Sequence, residues 1–284
     1  MATAVTVPNI PVERQFDFRD DDFARVRRMI RERAGISLGA HKREMVYSRL
    51  ARRLRALGRG DFSGYLDALE RDPASPEWQD FVNALTTNLT AFFREPHHFP
   101  ILADFVRTRP APVSVWCCAA STGEEPYSIA ITLQESLGPR AGQASVYATD
   151  IDTSVLNRAR QGVYPGDRVE KLSPERLKRF FLRGTGANSG QVKVRPEVAA
   201  MVEFATLNLL APRWDIDRRF DAIFCRNVMI YFDKPTQAAI LQRFVPLLKP
   251  GGLLFAGHSE NFTYISDAFR LRGQTVYDCT QAGA

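Results

Sequence analysis

A short apolar run at 113–119 passes through the small residues Ala120-Ser121-Thr122-Gly123 into Glu124-Glu125-Pro126, and then into a helical pattern through Ile129, Ile131 and Leu133. The run has the length and character of a buried strand, and a proline in the first turn of the helix loses no hydrogen bond there. Strand, small-residue turn and helix form the unit from which a doubly wound sheet builds a nucleotide-sized crevice at its carboxyl edge. A helix N-terminus favours anions, and here two carboxylates already occupy it. That argues against a phosphate and for a ligand with hydroxyls and a positive charge.

From 113 onward strands and helices alternate. Strands are expected at 113–119, 145–151, 201–205, 220–225 and 252–257, and helices at 126–137, 153–160 and 234–248. The segment 269–280 alternates like an antiparallel pair. This is the pattern of an α/β sheet with right-handed crossovers. One piece interrupts it: a helix at 171–182, a loop at 183–190 holding Gly184, Gly186 and Gly190, and a polar/apolar strand at 191–195. These read as a small β excursion whose edge could take an added peptide strand.

The 284 residues suggest about two domains. Residues 1–15 are aperiodic and expected to be disordered, 16–85 form a helical domain, 86–110 a linker lining the site, and 111–284 the α/β domain with its insertion at about 171–200. In the helical part, Val46, Leu50, Leu54 and Leu57 make one apolar stripe. Arg49, Arg52, Arg53, Arg55 and Arg59 cover much of the rest, with Glu44 the only acid among them. A solvated face usually mixes signs, so this helix is expected to be a binding surface. A net charge of +6 and a pI near 9.3 suit an acidic partner, nucleic acid or anionic lipid. No apolar run reaches the ~20 residues of a membrane span, and the N-terminus lacks a signal-peptide layout. A cytoplasmic protein is expected, with Cys117, Cys118, Cys225 and Cys279 as free thiols. His97 and His98 are neighbours and do not form an i, i+4 pair, so no metal is expected.

Asp150 closes the second strand, where an acid is placed to bind ribose hydroxyls; Asp152 reads as a helix N-cap. The first turn lacks G-x-G-x-x-G, which weakens a dinucleotide reading and leaves S-adenosylmethionine as a common phosphate-free nucleoside cofactor. Arg226 and Asn227 interrupt the apolar run 224–232 and need partners if buried. Asn208 and Leu209 follow the third strand in the equivalent place. Gly257-His258-Ser259-Glu260 does not fit G-x-S-x-G, so a serine hydrolase is not expected.

Four motifs now stand together: Asn88-Leu89-Thr90-Ala91-Phe92-Phe93-Arg94-Glu95, Ala120-Ser121-Thr122-Gly123-Glu124-Glu125-Pro126-Tyr127, Cys225-Arg226-Asn227-Val228-Met229-Ile230-Tyr231-Phe232 and Gly257-His258-Ser259-Glu260-Asn261-Phe262. In order and spacing they resemble the CheR family of chemotaxis receptor glutamate O-methyltransferases, over roughly 18–280 and nearer its enterobacterial branch. The resemblance implies a Rossmann-like S-adenosylmethionine methyltransferase sheet with an antiparallel C-terminal strand pair and a small inserted β-subdomain, preceded by an all-α N-terminal domain. It implies that S-adenosylmethionine, leaving as S-adenosylhomocysteine, contacts Asn88, Thr90, Arg94, Asp150 and Glu125, with Glu124 the alternative to the last. Asn208 and Leu209 would border the adenine, Arg226 and Asn227 would close the methionine side, and Arg94 and Tyr231 would lie nearest the transferred methyl. The basic helix would dock on the receptors' acidic helical bundle, and the β-subdomain with Gly184, Gly186 and Gly190 resembles one that grips a receptor's C-terminal peptide. The partner is then a receptor's cytoplasmic domain, with no nucleic acid, no membrane insertion and a monomeric enzyme. Two rivals remain. A nucleic-acid methyltransferase should carry N/D-P-P-Y/F where this chain reads Arg226-Asn227-Val228-Met229; a non-catalytic cofactor-binding regulator would keep the same crevice.

Overall fold

The computed structural model describes residues 15–281. The expected disorder of 1–15 therefore falls, apart from Gln15, outside the described residues. The elements in order are α1 (Asp20–Ala34), α2 (Arg43–Ala56), α3 (Phe62–Arg71), α4 (Glu77–Leu85), α5 (His98–Arg107), β1 (Val113–Cys117), α6 (Glu124–Leu137), β2 (Ala144–Asp150), α7 (Thr153–Gln161), β3 (Val163–Pro165), α8 (Pro174–Phe180), β4 (Phe181–Arg183), β5 (Gln191–Val194), α9 (Pro196–Ala199), β6 (Val202–Thr206), β7 (Phe220–Cys225), α10 (Lys234–Phe244), β8 (Leu248–Ala256), β9 (Phe269–Gly273) and β10 (Val276–Cys279). Two compact units divide them: residues up to Ile30 with Leu38–Leu85, and Arg31–Ser37 with Thr86 onward. No helix among the described residues is long and apolar enough to cross a membrane.

The first unit is all-helical. Val46, Leu50 and Leu54 of α2 are fully buried, as their stripe requires, whereas Leu57, just past the helix end, is 40% exposed; Phe18 packs its ring on Phe62 at 4.5 Å. Asp61 caps α3 by accepting from the Gly64 amide at 2.6 Å, the usual remedy for an unpaired donor at a helix start. The expectation of an unbalanced basic face on α2 needs correction. Arg53 is clamped by two acids of α4: its Nε donates to Glu77 at 2.6 Å and its Nη2 to Asp80 at 2.5 Å. Arg49 donates to the Ala84 carbonyl at 3.3 Å, and Arg55 to Gln15 at 2.7 Å. The acids that neutralise Arg53 lie 24 and 27 residues away in sequence, beyond the reach of a helical-wheel count. Arg52 and Arg59 are exposed, with no side-chain partner among the described residues.

The second unit is built on a seven-stranded sheet in the order β6-β2-β1-β7-β8-β10-β9. The first five strands in that order are parallel; β10 and β9 are antiparallel additions at one edge. Side chains alternate across the sheet, so Cys117 joins the core beneath α5 and α6 while Cys118 joins the core beneath α10. All four cysteines are free and all but Cys279 are buried. In the first core Phe224 stacks on Phe255 at 4.2 Å, and Phe99, Leu102 and Val106 of α5 are buried. That helix lies inside the stretch expected to be an irregular linker. Its apolar face was obscured by the two histidines and the proline in its first turn.

The β excursion is a three-stranded sheet in the order β3-β5-β4. Its first strand comes from Val163–Pro165, ahead of the expected insertion, and the expected helix 171–182 ends at Phe180, after which Phe181–Arg183 pairs with β5. The strand read from the sequence is therefore the middle one, and the open edges belong to β3 and β4. Gly184 lies so close to Asn188 that a Cβ would come within 2.0 Å of its carbonyl oxygen, and Gly186 and Gly190 have φ of 58° and 84°. These glycines shape the turn between β4 and β5.

Candidate functional site

Strand order reverses between β1 and β7, and their carboxyl ends open the crevice that a doubly wound sheet uses for ligands. Five loops reach it, after β1, β2, β6, β7 and β8, together with the segment 86–97 that precedes α5.

At its base lies Arg226, just after β7, with its side chain fully buried. A buried guanidinium needs carboxylates to offset desolvation, and two are present. Nη1 lies 2.9 Å from Glu125, off the line of a good hydrogen bond, and Nη2 lies 3.2 Å from Glu95. Nη2 also donates to the Arg94 carbonyl at 2.6 Å, while Nε is buried without an acceptor. Burial pushes the Glu125 carboxyl up against the pull of Arg226, and Cys117 Sγ donates to it at 3.5 Å from the strand below. Burial acts the same way on Glu95, but there the His258 hydrogen bond, Arg226 and Asn227 win and hold it at about 2.

The neighbouring Glu124 turns elsewhere. Arg168 pairs with it and also donates to the Thr90 carbonyl at 2.8 Å, and Thr122 donates to it at 2.6 Å. Of the two adjacent acids at the start of α6, Glu125 is the one joined to Arg226.

Asp150 is buried at the end of β2. One oxygen accepts from the Ser121 amide at 2.8 Å and the other from the Asp152 amide at 2.9 Å. Burial outweighs those bonds and raises its carboxyl to about 6. Asp152 caps α7, as its position implies, through the Ser154 and Val155 amides. It also accepts from Thr86 at 2.6 Å and from Asn88 at 2.8 Å, so Asn88 fastens its own segment to α7.

Arg94 folds back on the same segment and donates to the Leu89 carbonyl at 2.7 Å. Thr90 is buried and Leu89 is 74% exposed. Asn208 forms a local turn with the Leu210 amide and donates to the Arg33 carbonyl at 2.9 Å; Leu209 is buried in the core beneath α10. Tyr231 ends the short 3-10 turn Met229–Tyr231, half-buried, with the Ser37 amide on its carbonyl at 3.3 Å.

Sequence reasoning assigned no role to three residues that organise this site. Glu260 is buried after β8 and accepts backbone amides from Asn227 at 2.9 Å, Met229 at 2.8 Å and Gly257 at 2.6 Å. Glu95 accepts from Asn227 Nδ2 at 3.1 Å and contacts His258 Nδ1 at 2.9 Å, besides Arg226. Arg168 binds Glu124. The two glutamates stood inside the quoted motifs, which was a usable signal; Arg168 carried none. The backbone around them is strained. Phe93, Glu95, Ser121 and Asn227 have φ of 52°, 53°, 47° and 59°, a conformation that costs non-glycine residues of order 1–3 kcal/mol and survives where the surroundings fix it. Gly257 leaves room for this: a Cβ there would lie 2.4 Å from Asn227 Nδ2.

A cationic nucleoside fits these groups. The crevice offers Asp150 for hydroxyls, Glu125 for positive charge, and a buried guanidinium nitrogen still lacking an acceptor. Residues 88–277 match the family model described as CheR methyltransferase, SAM binding domain, and residues 21–86 match CheR methyltransferase, all-alpha domain. The chemotaxis protein methyltransferase of Klebsiella aerogenes is 65% identical over 262 residues, covering 92% of this chain and 90% of the relative. That of Escherichia coli is 60% identical over 258 residues, covering 91% and 90%. Chemotaxis protein methyltransferase 2 of Pseudomonas aeruginosa is 56% identical over 266 residues, covering 93% and 94%. By the extent of both family models and of these relatives, the chain belongs to the CheR methyltransferase family.

Proposed function

We propose that the chain transfers the methyl group of S-adenosylmethionine to glutamate side chains of chemotaxis receptors, leaving 5-O-methyl esters and S-adenosylhomocysteine. The observation that carries this reading is the buried Arg226 between Glu125 and Glu95 at the switch point of the sheet, in a chain matched across both CheR models.

When bound, the cofactor supplies an activated methyl on a sulfonium. The chain's own work is then to bind, orient and dry the site. Asp150 receives the ribose hydroxyls, and Glu125 the positive end of the methionine portion, with Arg226 setting that carboxylate's direction. Asn208 and Leu209 border the adenine. Asn88, Thr90 and Arg94 close over it from the segment before α5, and Asn227 lines the methionine side. Arg94 and Tyr231 stand at the transfer point.

A receptor glutamate has an ordinary pKa near 4.3 and is already a carboxylate at neutral pH. It attacks without a general base, so the reaction asks no nucleophile–base pair of the chain. Alignment of two reactants can supply roughly 7–11 kcal/mol. Arg94 orients the carboxylate, but holding it too tightly would stabilise the ground state and slow transfer. The receptor side is met by Arg52, Arg55 and Arg59, with Arg49 and Arg53 chiefly holding α2 to α4. The open edges of β3 and β4 are where a receptor peptide would add as a strand.

The reading is tested with methyl-labelled cofactor and a receptor cytoplasmic fragment, followed by alkali. Volatile labelled methanol is expected. Alkali-stable label, label on nucleic acid, or cofactor binding with no transfer would overturn it.

A further inference from the structure

Three of the chain's four histidines stand around Glu95. His98 opens α5, and its ring is fully buried, edge-on to Phe255 at 5.5 Å. Its Nε2 lies 2.8 Å from the Gln274 carbonyl oxygen. A carbonyl only accepts, so Nε2 carries the proton and Nδ1 of the neutral ring holds a lone pair. That Nδ1 is buried with no hydrogen-bond partner and faces Glu95 Oε2 at 3.8 Å. Two electron-pair donors face each other there, and Oε2 also accepts from the His258 amide at 3.2 Å and pairs with Arg226. The ring of His97 packs on His98 at 4.3 Å between centroids and brings in a third donor. One ligand atom from each of Glu95, His97 and His98 lies within 4.8 Å of the others.

We propose that Glu95, His97 and His98 bind a divalent transition-metal ion of the zinc type. Two imidazoles and a carboxylate suit zinc and its neighbours better than magnesium or calcium, and three protein ligands with an open position form a recurrent zinc arrangement. The His98 Nε2–H bond to a backbone carbonyl is the outer support that metal-bound histidines usually have. His258, whose ring lies on Oε1 of Glu95 and whose amide donates to Oε2, steadies the carboxylate. The neighbouring histidines reach one ion because Glu95 turns back through its left-handed backbone at the start of α5, not because they share a helix face.

Metal–ligand bonds near 2 Å place tetrahedral ligand atoms roughly 3.3 Å apart, so the site must contract when it binds. Glu95 is the ligand with competing partners, and the ion's charge repels Arg226, 3.2 Å from the same carboxylate. Metal binding therefore loosens the Arg226–Glu95 pair and opposes cofactor binding, and the opposition is reciprocal. This coupling, unlike the metal site itself, rests on the cofactor reading of the crevice.

The test is calorimetric titration of the full chain, carrying no added histidines, with zinc chloride. One zinc per chain is expected, with magnesium chloride giving no heat. His97→Ala should weaken zinc binding about tenfold or more, at least the loss seen when only an outer support is removed, while its methyl transfer without zinc stays at the parent level. Cys279→Ser should leave zinc binding unchanged. Zinc should weaken S-adenosylhomocysteine binding in the parent and not in His97→Ala. No zinc binding, or binding that survives His97→Ala, overturns the site. Zinc binding that depends on His97 but leaves S-adenosylhomocysteine affinity unmoved overturns the coupling alone. Failure of S-adenosylhomocysteine to bind even without zinc overturns the cofactor reading and leaves the metal site standing.

Discussion

Arginine serves opposite ends in α2 and in the crevice. Arg52 on α2 and Arg59 just past its end project into solvent, where a charge costs little to keep and would act on a partner through screened, long-range attraction. In the crevice the Arg226 side chain has no exposure and is held between Glu125, Glu95 and a backbone carbonyl. A charge taken out of water must be matched locally, and breaking such a match leaves its partners buried and uncompensated. Arg53 lies between the two cases: part-buried and paired, yet on the same helix as the exposed Arg52. An arginine's role thus follows from its burial and partners more than from its place in a basic run.

That contrast can be broken most easily at Arg226. Arg226→Ala is expected to cost about 3–5 kcal/mol of stability, the range for orphaning buried charges, and to abolish cofactor binding. Denaturant unfolding and calorimetry read the two effects; a stable variant with normal cofactor affinity would erase the distinction. Next comes Arg94, which is hydrogen-bonded only within its own segment as far as its side chain is described. Arg94→Ala should leave stability nearly unchanged and lower kcat about a hundredfold, the scale of a misplaced reactant. Unchanged turnover in a folded variant would sink the orienting role.

A pH titration sharpens the carboxylate side of the comparison. Asp150 has its carboxyl raised to about 6, so its charged form is lost as pH falls through that value. Cofactor affinity should then weaken about tenfold between pH 7 and pH 5, and Asp150→Asn should be weak and flat over that range. By linkage, an acid raised above its unfolded value binds more protons when folded, so it favours folding at low pH. Asp150 should withdraw stability as pH rises from about 4 to 6, and Asp150→Asn should remove that slope.

The smallest effects belong to α2. Arg53→Ala should cost about 1 kcal/mol in stability, as for a part-exposed ion pair. Arg52→Glu with Arg59→Glu should leave stability alone and weaken receptor binding several-fold at low salt, a difference that fades as salt rises. Equal salt sensitivity of cofactor binding would show that the exposed arginines were not the cause.

What could be read without coordinates followed from short-range pattern. The strand, turn and helix from 113 to 137, the parallel alternation and the cap at Asp152 are local arrangements, and local periodicity reports them. The partners of Arg53 in α4, the pairing of Arg226 with two glutamates, and the middle position of β5 are products of topology. Nothing near Arg226 in sequence names Glu95, which lies more than a hundred residues away. The helix at 98–107 was missed for a different reason: histidines and a proline at its start masked an apolar face that only the sheet beneath makes sense of. The adjacent acids Glu124 and Glu125 could not be told apart until Arg168 was seen to hold the first and Arg226 the second.

Glu260 gathers amides from the turns after both β7 and β8 onto one carboxylate. For anyone recombining relatives, those two turns form a single cassette. Exchanging one without the other should leave an amide or a carboxylate stranded, whereas the β3–β5–β4 sheet lies outside that cassette and can be exchanged without disturbing it.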